Sequence, residues 1–287
     1  MVSLDISGFI SRAKRNGLGI DTVPNAIVSA LEKEVKEAYP NLPEALPLTE
    51  SLKKCVELTG RKFIFVIDEW DGMIREARHD QKAQEMYLSL LREWFKNNNF
   101  TPDVIAAAYM TGILPIKKGG SQSAISDFKE YSMIKPRKFG EYVGFTQTEV
   151  ESLCKECGMD FRKMQQWYDG YFFREVGSVY NPNSVMQAVD NEDFDSYWTE
   201  TSAAESLLDY ISMDYDGLSK TIVELIGGGE AEVNTLGFAN DLETFKNRDD
   251  VLTLLIHLGY LAYDETEKRV RIPNEEIRME FAKVYTV

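Results

Sequence analysis

Lys62-Phe63-Ile64-Phe65-Val66-Ile67-Asp68-Glu69 contains five consecutive large apolar residues, rich in β-branching, and ends in two carboxylates. A continuous apolar run of this length predicts a strand buried on both faces, as in a parallel sheet. Ligand sites in open α/β sheets lie at the carboxyl ends of the strands, so Asp68 and Glu69 stand at the chemically useful end. The layout is the form of a Walker B motif. There the Asp holds Mg²⁺ through its water shell, and the adjacent Glu orients or deprotonates the water that attacks a γ-phosphate. The competing reading is a buried strand that happens to end in solvated acids.

Working outward, Leu4-Asp5-Ile6-Ser7-Gly8-Phe9 alternates and ends in Gly, which predicts a short strand. A helix is expected from about Pro24, with Ile27, Leu31, Val35 and Ala38 on one face and Pro40 ending it. Another should run from Thr49 as N-cap through Leu52, Cys55 and Val56 to Gly60. Beyond the apolar run, Ala83, Met86, Tyr87, Leu90, Leu91 and Trp94 recur at helical spacing. Val104 to Met110 then reads as a third strand ending at Thr111-Gly112. Strand and helix in alternation predict an α/β layer with right-handed crossovers. The Thr111 hydroxyl falls where an NTPase of this kind places a sensor, a polar group that reads the γ-phosphate from the neighbouring strand.

After about residue 140 the pattern becomes mostly helical, opening with the capping box Thr146-Gln147-Thr148-Glu149. Near the C-terminus, a helix around Val251 to Leu258, short strands at Tyr260 to Tyr263 and Arg269 to Ile272, and a last helix from Asn274 suggest a winged-helix arrangement. The expected division is an α/β domain over 1–139 and an α-helical lid with a winged-helix-like end over 140–287.

Composition excludes several classes. The 287 residues carry 32 Lys plus Arg against 47 Asp plus Glu, a formal net charge of −15 at pH 7. Charge of this sign repels phosphate backbones and anionic membranes, so nucleic-acid contact would need a local basic patch. Hydrophobic residues at 44% and charged ones at 28% describe a chain that folds around a core rather than a disordered or disulfide-rich one. No apolar run approaches the roughly 18 residues of a membrane span, and the first residues have no secretory apolar segment. A cytoplasmic protein is therefore expected. Three cysteines, Cys55, Cys154 and Cys157, are too few for a disulfide framework. The two histidines, His79 and His257, stand near no nucleophile motif, which sets aside a hydrolase triad and a His-rich metal site.

An ordered set of motifs carries a resemblance: Phe65 to Asp71, Tyr109-Met110-Thr111-Gly112-Ile113-Leu114-Pro115-Ile116, Glu141 to Thr146, Trp167-Tyr168-Asp169-Gly170-Tyr171 and Tyr180-Asn181-Pro182-Asn183-Ser184-Val185. Together they resemble the AAA-ATPase-like family, bacterial P-loop NTPases often followed by a PD-(D/E)XK nuclease-like domain. The resemblance implies a P-loop NTPase-like three-layer parallel sheet, ATP and Mg²⁺ as ligands, Asp68 and Glu69 as the Walker B pair and Thr111 as the sensor-like position. Family members carry their phosphate-binding loop upstream of the strand that opens this chain, and no Gly-Lys dipeptide occurs among these residues. Lys135-Pro136-Arg137-Lys138-Phe139-Gly140 echoes the lead-in to such a loop, but Glu141-Tyr142 follow where Lys and Ser or Thr are required. The sheet is thus expected to lack its first strand. The edge over residues 104–111 is then expected to be covered by another segment or by a second copy.

Two functional readings follow. One is an AAA-ATPase-like module, ancestrally an Mg²⁺-dependent ATPase, that cannot hydrolyse ATP as this chain alone. The other is a non-catalytic binding or assembly module retaining the architecture. Direct DNA binding, through the basic residues Lys117, Lys118, Lys129, Lys135, Arg137 and Lys138 or through the wing, ranks third; the simpler use of that segment is a solvated loop. Partners implied are a homo-oligomer or flanking domains, with no membrane. Cys154-x-x-Cys157 and His257 read as structural, and the 167–171 aromatics as a clamp on a turn.

Overall fold

The computed structural model describes residues 1–43, 45–77, 79–113, 127–198, 211, 215–238, 245 and 247–285. The chain divides into two compact units, Met1–Lys129 and Glu130–Val287. Among the described residues no helix is long and apolar enough to cross a membrane.

In the first unit β1 (Val2–Asp5), β2 (Phe63–Asp68) and β3 (Ile105–Met110) form a parallel sheet in the order β1-β2-β3. Between β1 and β2 run α1 (Ile6–Arg15), α2 (Val23–Ala38) and α3 (Leu48–Thr59). Between β2 and β3 run α4 (Gly72–Glu76), α5 (Gln81–Phe95) and α6 (Thr101–Val104). The α5 periodicity holds, as does that of α2 through Ile27, Leu31 and Val35, whereas Ala38 at its end is exposed; Gly60 ends α3 in the left-handed conformation. The N-cap of α3 is Pro47 rather than Thr49.

Two expectations are corrected. The first strand stops at Asp5, because the Asp5 Oδ1 accepts the Gly8 amide at 2.9 Å and caps α1. Ile6, Ile10 and Ala13 then line the buried side of a helix, a period that a strand over 4–9 obscured. Among the described residues the sheet is also buried on one face only. Val2, Leu4, Phe65 and Ile67 are in the core, whereas Ile64 on the opposite face is 48% exposed and Tyr109 is 53% exposed. The strands step in one direction, so right-handed crossovers bring every connecting helix to the same face. The described unit is two-layered where three layers were expected. Among the described residues only β2 pairs with β3, and Ala106, Ala107 and Tyr109 stay exposed, so the cover expected over 104–111 is not found there.

The second unit contains α7 (Gln147–Cys157), α8 (Phe161–Tyr168), α9 (Pro182–Asn191), α10 (Leu218–Ile226), α11 (Arg248–His257) and α12 (Glu275–Tyr285). Strands β4 (Phe145–Thr146), β5 (Tyr171–Phe173) and β6 (Gly177–Tyr180) form one antiparallel sheet in the order β4-β6-β5. Strands β7 (Ala231–Glu232), β8 (Ala262–Asp264) and β9 (Arg269–Arg271) form another, in the order β7-β9-β8. The capping box forms as read: the Thr146 side chain and the Glu149 amide pair, and the Glu149 carboxylate accepts from the Thr146 amide at 2.8 Å. The aromatic turn is a clamp. The Gly170 carbonyl accepts from Arg271 at 3.1 Å, the Asp169 carbonyl from Asn274 at 2.8 Å, and the Tyr171 hydroxyl donates to the Gly259 carbonyl at 2.5 Å. Gly170 has φ +115°, and a Cβ there would lie 2.0 Å from the Pro273 carbonyl oxygen. No larger residue fits.

A buried polar cluster ties α9 to α12. Glu276 accepts from Ser184 at 2.9 Å and from the Tyr197 amide at 2.9 Å, beside Glu280 and Lys283. Burial pushes the Glu276 carboxyl up to about 7, against its ordinary 4.5, despite those donors.

Replacing the core residue Phe65 by Ala should destabilise the first unit by about 3–5 kcal/mol, whereas Ile64→Ala on the open face should cost under about 1 kcal/mol; denaturant midpoints compare them. For Glu276 the folded carboxyl binds its proton more tightly than the unfolded one. Its contribution is complete below about 4.5 and is lost as pH rises through about 7. Glu276→Gln should therefore flatten that part of the thermal stability profile and raise the melting point above pH 7 relative to the parent.

Candidate functional site

The parallel register sets the carboxyl ends of the three strands together. Asp5 lies opposite Asp68 and Ile67 opposite Met110, so Thr111 follows immediately beside Asp68. The Thr111 hydroxyl donates to Asp68 Oδ1. Backbone bonds close the same junction: the Thr111 amide donates to the Ile67 carbonyl at 2.9 Å, and the Trp70 amide to the Thr111 carbonyl at 2.9 Å. Asp68 Oδ1 also accepts the Glu69 amide at 3.1 Å.

Glu69 turns the chain out of the sheet in a left-handed conformation, φ +52°. For a non-glycine residue this costs roughly 1–2 kcal/mol and persists where neighbours over-determine it. The constraint here is the Trp70 bond to Thr111 on one side and the Gly72 amide bound to the Glu69 carbonyl at 2.8 Å on the other. The Glu69 carboxylate accepts from the Ser7 hydroxyl at 3.2 Å and from Arg75 Nη2. Arg75 Nε donates to Asp71 Oδ2 at 3.0 Å. The Asp71 side chain is fully buried and Arg75 is 17% exposed, so the guanidinium bridges a solvent-facing acid and an interior one.

The loop after β3 is fitted to that pair. A Cβ at Gly112 would lie 2.6 Å from Asp71 Oδ1 and 2.7 Å from Trp70 Cδ1, so a side chain is excluded there. Tyr87 donates to the Trp70 carbonyl at 2.8 Å, and burial, followed by the Asp71 charge, holds its phenol protonated well above the ordinary range.

The structure thus brings Asp68 and Thr111 into direct contact, while the Glu69 carboxylate is engaged by Ser7 and Arg75. Sequence reasoning missed Ser7, Asp71 and Arg75. Arg75 stands four residues after Asp71 in one helical turn, a spacing that announces an ion pair. Ser7 was hidden by the misplaced strand end. Among the described residues no cluster of three or more His, Cys, Asp or Glu is arranged to hold a metal. One carboxylate with a neighbouring hydroxyl nonetheless suits Mg²⁺, which takes one or two carboxylates and fills its remaining positions with water and substrate phosphates.

Of the other motifs, Cys154 is buried in the α7 core with its thiol pushed up by burial, and Cys157 is exposed. Burial pushes His257 down to about 4, so its ring is neutral and stacks on Phe238 at 5.9 Å. Lys117 and Lys118 lie outside the described residues; Lys129, Lys135, Arg137 and Lys138 are exposed. Residues Arg137–Tyr142 form a 3₁₀ turn.

Residues 6–121 match the model of the AAA-ATPase-like family, described as predicted AAA-ATPases. The chain is also 21% identical over 165 residues to an "Uncharacterized protein in vnfD 5'region" of Azotobacter chroococcum mcd 1. That match covers 57% of this chain and 31% of the relative, so the matched region spans about a third of the relative's length. No solved structure matches the chain.

Removing the guanidinium in Arg75→Ala leaves the buried Asp71 without that counter-charge and should destabilise the first unit by about 3 kcal/mol. Adding Asp71→Asn should recover part of the loss. A double-mutant cycle read by thermal unfolding gives the coupling directly.

Proposed function

Taking residues 6–121 as an AAA-ATPase-like region, we propose that the carboxyl end of β2 is the magnesium and water side of a nucleotide site in a P-loop NTPase-like layer. Asp68 faces the metal, Glu69 is the group for the attacking water, and Thr111 reads the γ-phosphate. The hydrogen bond between Thr111 and Asp68 is the observation that carries this reading, since two adjacent parallel strands end in the hydroxyl and the carboxylate such a site requires. Mg²⁺, when bound with ATP, neutralises the charge developing on the phosphates. The chain's own residues then have separable tasks. Asp68 supplies the anionic ligand, Thr111 orients it, and Ser7 with Arg75 fixes where the Glu69 carboxylate rests.

The 287 residues contain no Gly-Lys dipeptide. A backbone N–H nest, its Lys and a metal-binding hydroxyl supply most of the grip on phosphates. We therefore read this chain by itself as unable to hydrolyse ATP. Residues 140–287 serve in this reading as an α-helical lid with a winged-helix-like C-terminal part. A cytoplasmic location and assembly with a second copy or with flanking domains complete it. The second reading, a non-catalytic binding or assembly module, is favoured by one specific observation: the Glu69 carboxylate is already held by Ser7 and Arg75.

Paramagnetic Mn²⁺ should broaden the backbone NMR signals of Asp68, Glu69 and Thr111, and Asp68→Asn should abolish the broadening. Signals left sharp at all three residues would favour the non-catalytic module. A fluorescent ATP analogue with Mg²⁺ should show no saturable binding at micromolar concentrations. Tight binding that is lost in Asp68→Ala would overturn the missing grip.

A further inference from the structure

The second unit carries a surface groove, independent of the β2 site, whose walls combine apolar side chains with acids. Phe145 of β4, Leu153 of α7 and Met186 of α9 form its apolar part, with Glu149 and Glu156 of α7 beside them. The hydroxyl residues Thr148 and Ser152 complete the lining, and no lining residue is cationic. Its volume is about 330 Å³, near the small end of ligand sites and suited to one or two side chains rather than a large cofactor.

The groove is built on a fixed helix. α7 is held at its start by the capping box and at its end by Gly158 in the left-handed conformation. Val150 and Cys154 are buried with Tyr168, Tyr180 and Val185 in the core of this unit. That packing uses one side of α7 and leaves Leu153 half-buried, next to Met186, which is 40% exposed. The Thr146 amide and hydroxyl both donate to Glu149 Oε2 at 2.8 Å, and the two bonds hold its carboxyl below the usual range. Glu149 is therefore a permanent anion at the rim.

We propose that this groove binds a basic segment of a partner protein, seating one apolar side chain among Phe145, Leu153 and Met186 and placing Lys or Arg against Glu149 and Glu156. Charge decides the class of occupant. An apolar cleft with two rim carboxylates, on a chain of net charge −15, repels phosphates, nucleic acids and anionic lipid, and attracts cationic peptide. A helix offering an apolar anchor with flanking cations at i+3 or i+4 satisfies both walls at once.

The test uses the full chain and a fluorescently labelled amphipathic peptide of Leu and Lys, followed by anisotropy. A second peptide carries the same Lys residues with Ser at every Leu position. The Leu-Lys peptide should bind at least tenfold more tightly than the Ser-Lys peptide. Met186→Ala and Glu156→Lys, both at exposed positions, should each weaken it about fivefold or more, while Glu265→Lys in the β8–β9 turn leaves it unchanged. Equal affinity for the two peptides, or an equal loss in Glu265→Lys, would mean attraction to the chain's overall charge and would overturn the proposal. Sedimentation showing a concentration-dependent dimer abolished by Glu156→Lys would assign the groove to a second copy, and that too would overturn it.

Discussion

The central placement of Phe63–Asp68 governs the first unit. This strand has a partner on both sides, and its Phe65 and Ile67 side chains are completely buried. The parallel pairing sets Asp5 opposite Asp68, and a register shift against β3 between Phe63 and Ile64 sets Ile67 opposite Met110. Asp5, Asp68 and Thr111 are neighbours through that combination. The aromatic packing beneath the strand, with Phe65 against Trp94 at 5.6 Å and Phe95 at 5.7 Å, therefore anchors the polar groups at its tip. A shift of one residue would put Phe65 on the open face and move Asp68 away from the Thr111 hydroxyl.

At that tip, two kinds of electrostatic environment meet within four residues. Asp68 is exposed to water, whereas Asp71 is in the interior and depends on fixed donors. Arg75 connects them through Glu69. A charge held this way is expensive to move, because any rotation of Arg75 toward solvent leaves an interior carboxylate behind. The same arrangement explains why Glu69 keeps a conformation that favours glycine: its backbone and its side chain are both committed elsewhere.

Much of this was legible in the sequence where a local rule acts alone. The strand at 63–68, the α2 and α5 faces, the Gly60 stop and the Thr146-Glu149 box each depend on a few adjacent residues. The relation of Asp68 to Thr111 was legible because both stand at the end of a recognisable strand. What was not legible depends on geometry at a distance. Asp5 reads equally as the second residue of an alternating strand or as the cap of a helix, and only the Gly8 amide decides. The exposure of Ile64 among the described residues follows from strand order, which no single segment encodes. Ser7 meets Glu69 across 62 positions of chain.

The Asp169-Gly170 turn has a consequence for how the protein is made. Its partners are Gly259, Arg271 and Asn274, and two of its hydrogen bonds join residues 101 and 105 positions apart. Such distant contacts are slow to form, and chains generally fold one unit at a time as they are synthesised. The first unit closes on contacts within residues 1–129 and can complete during translation. The clamp on Gly170 and Tyr171 cannot. Tyr171 waits without its Gly259 partner, and Gly170 without Arg271, until the segment around 259–274 has left the ribosome, so the second unit has an interval of incomplete packing during synthesis that the first unit does not.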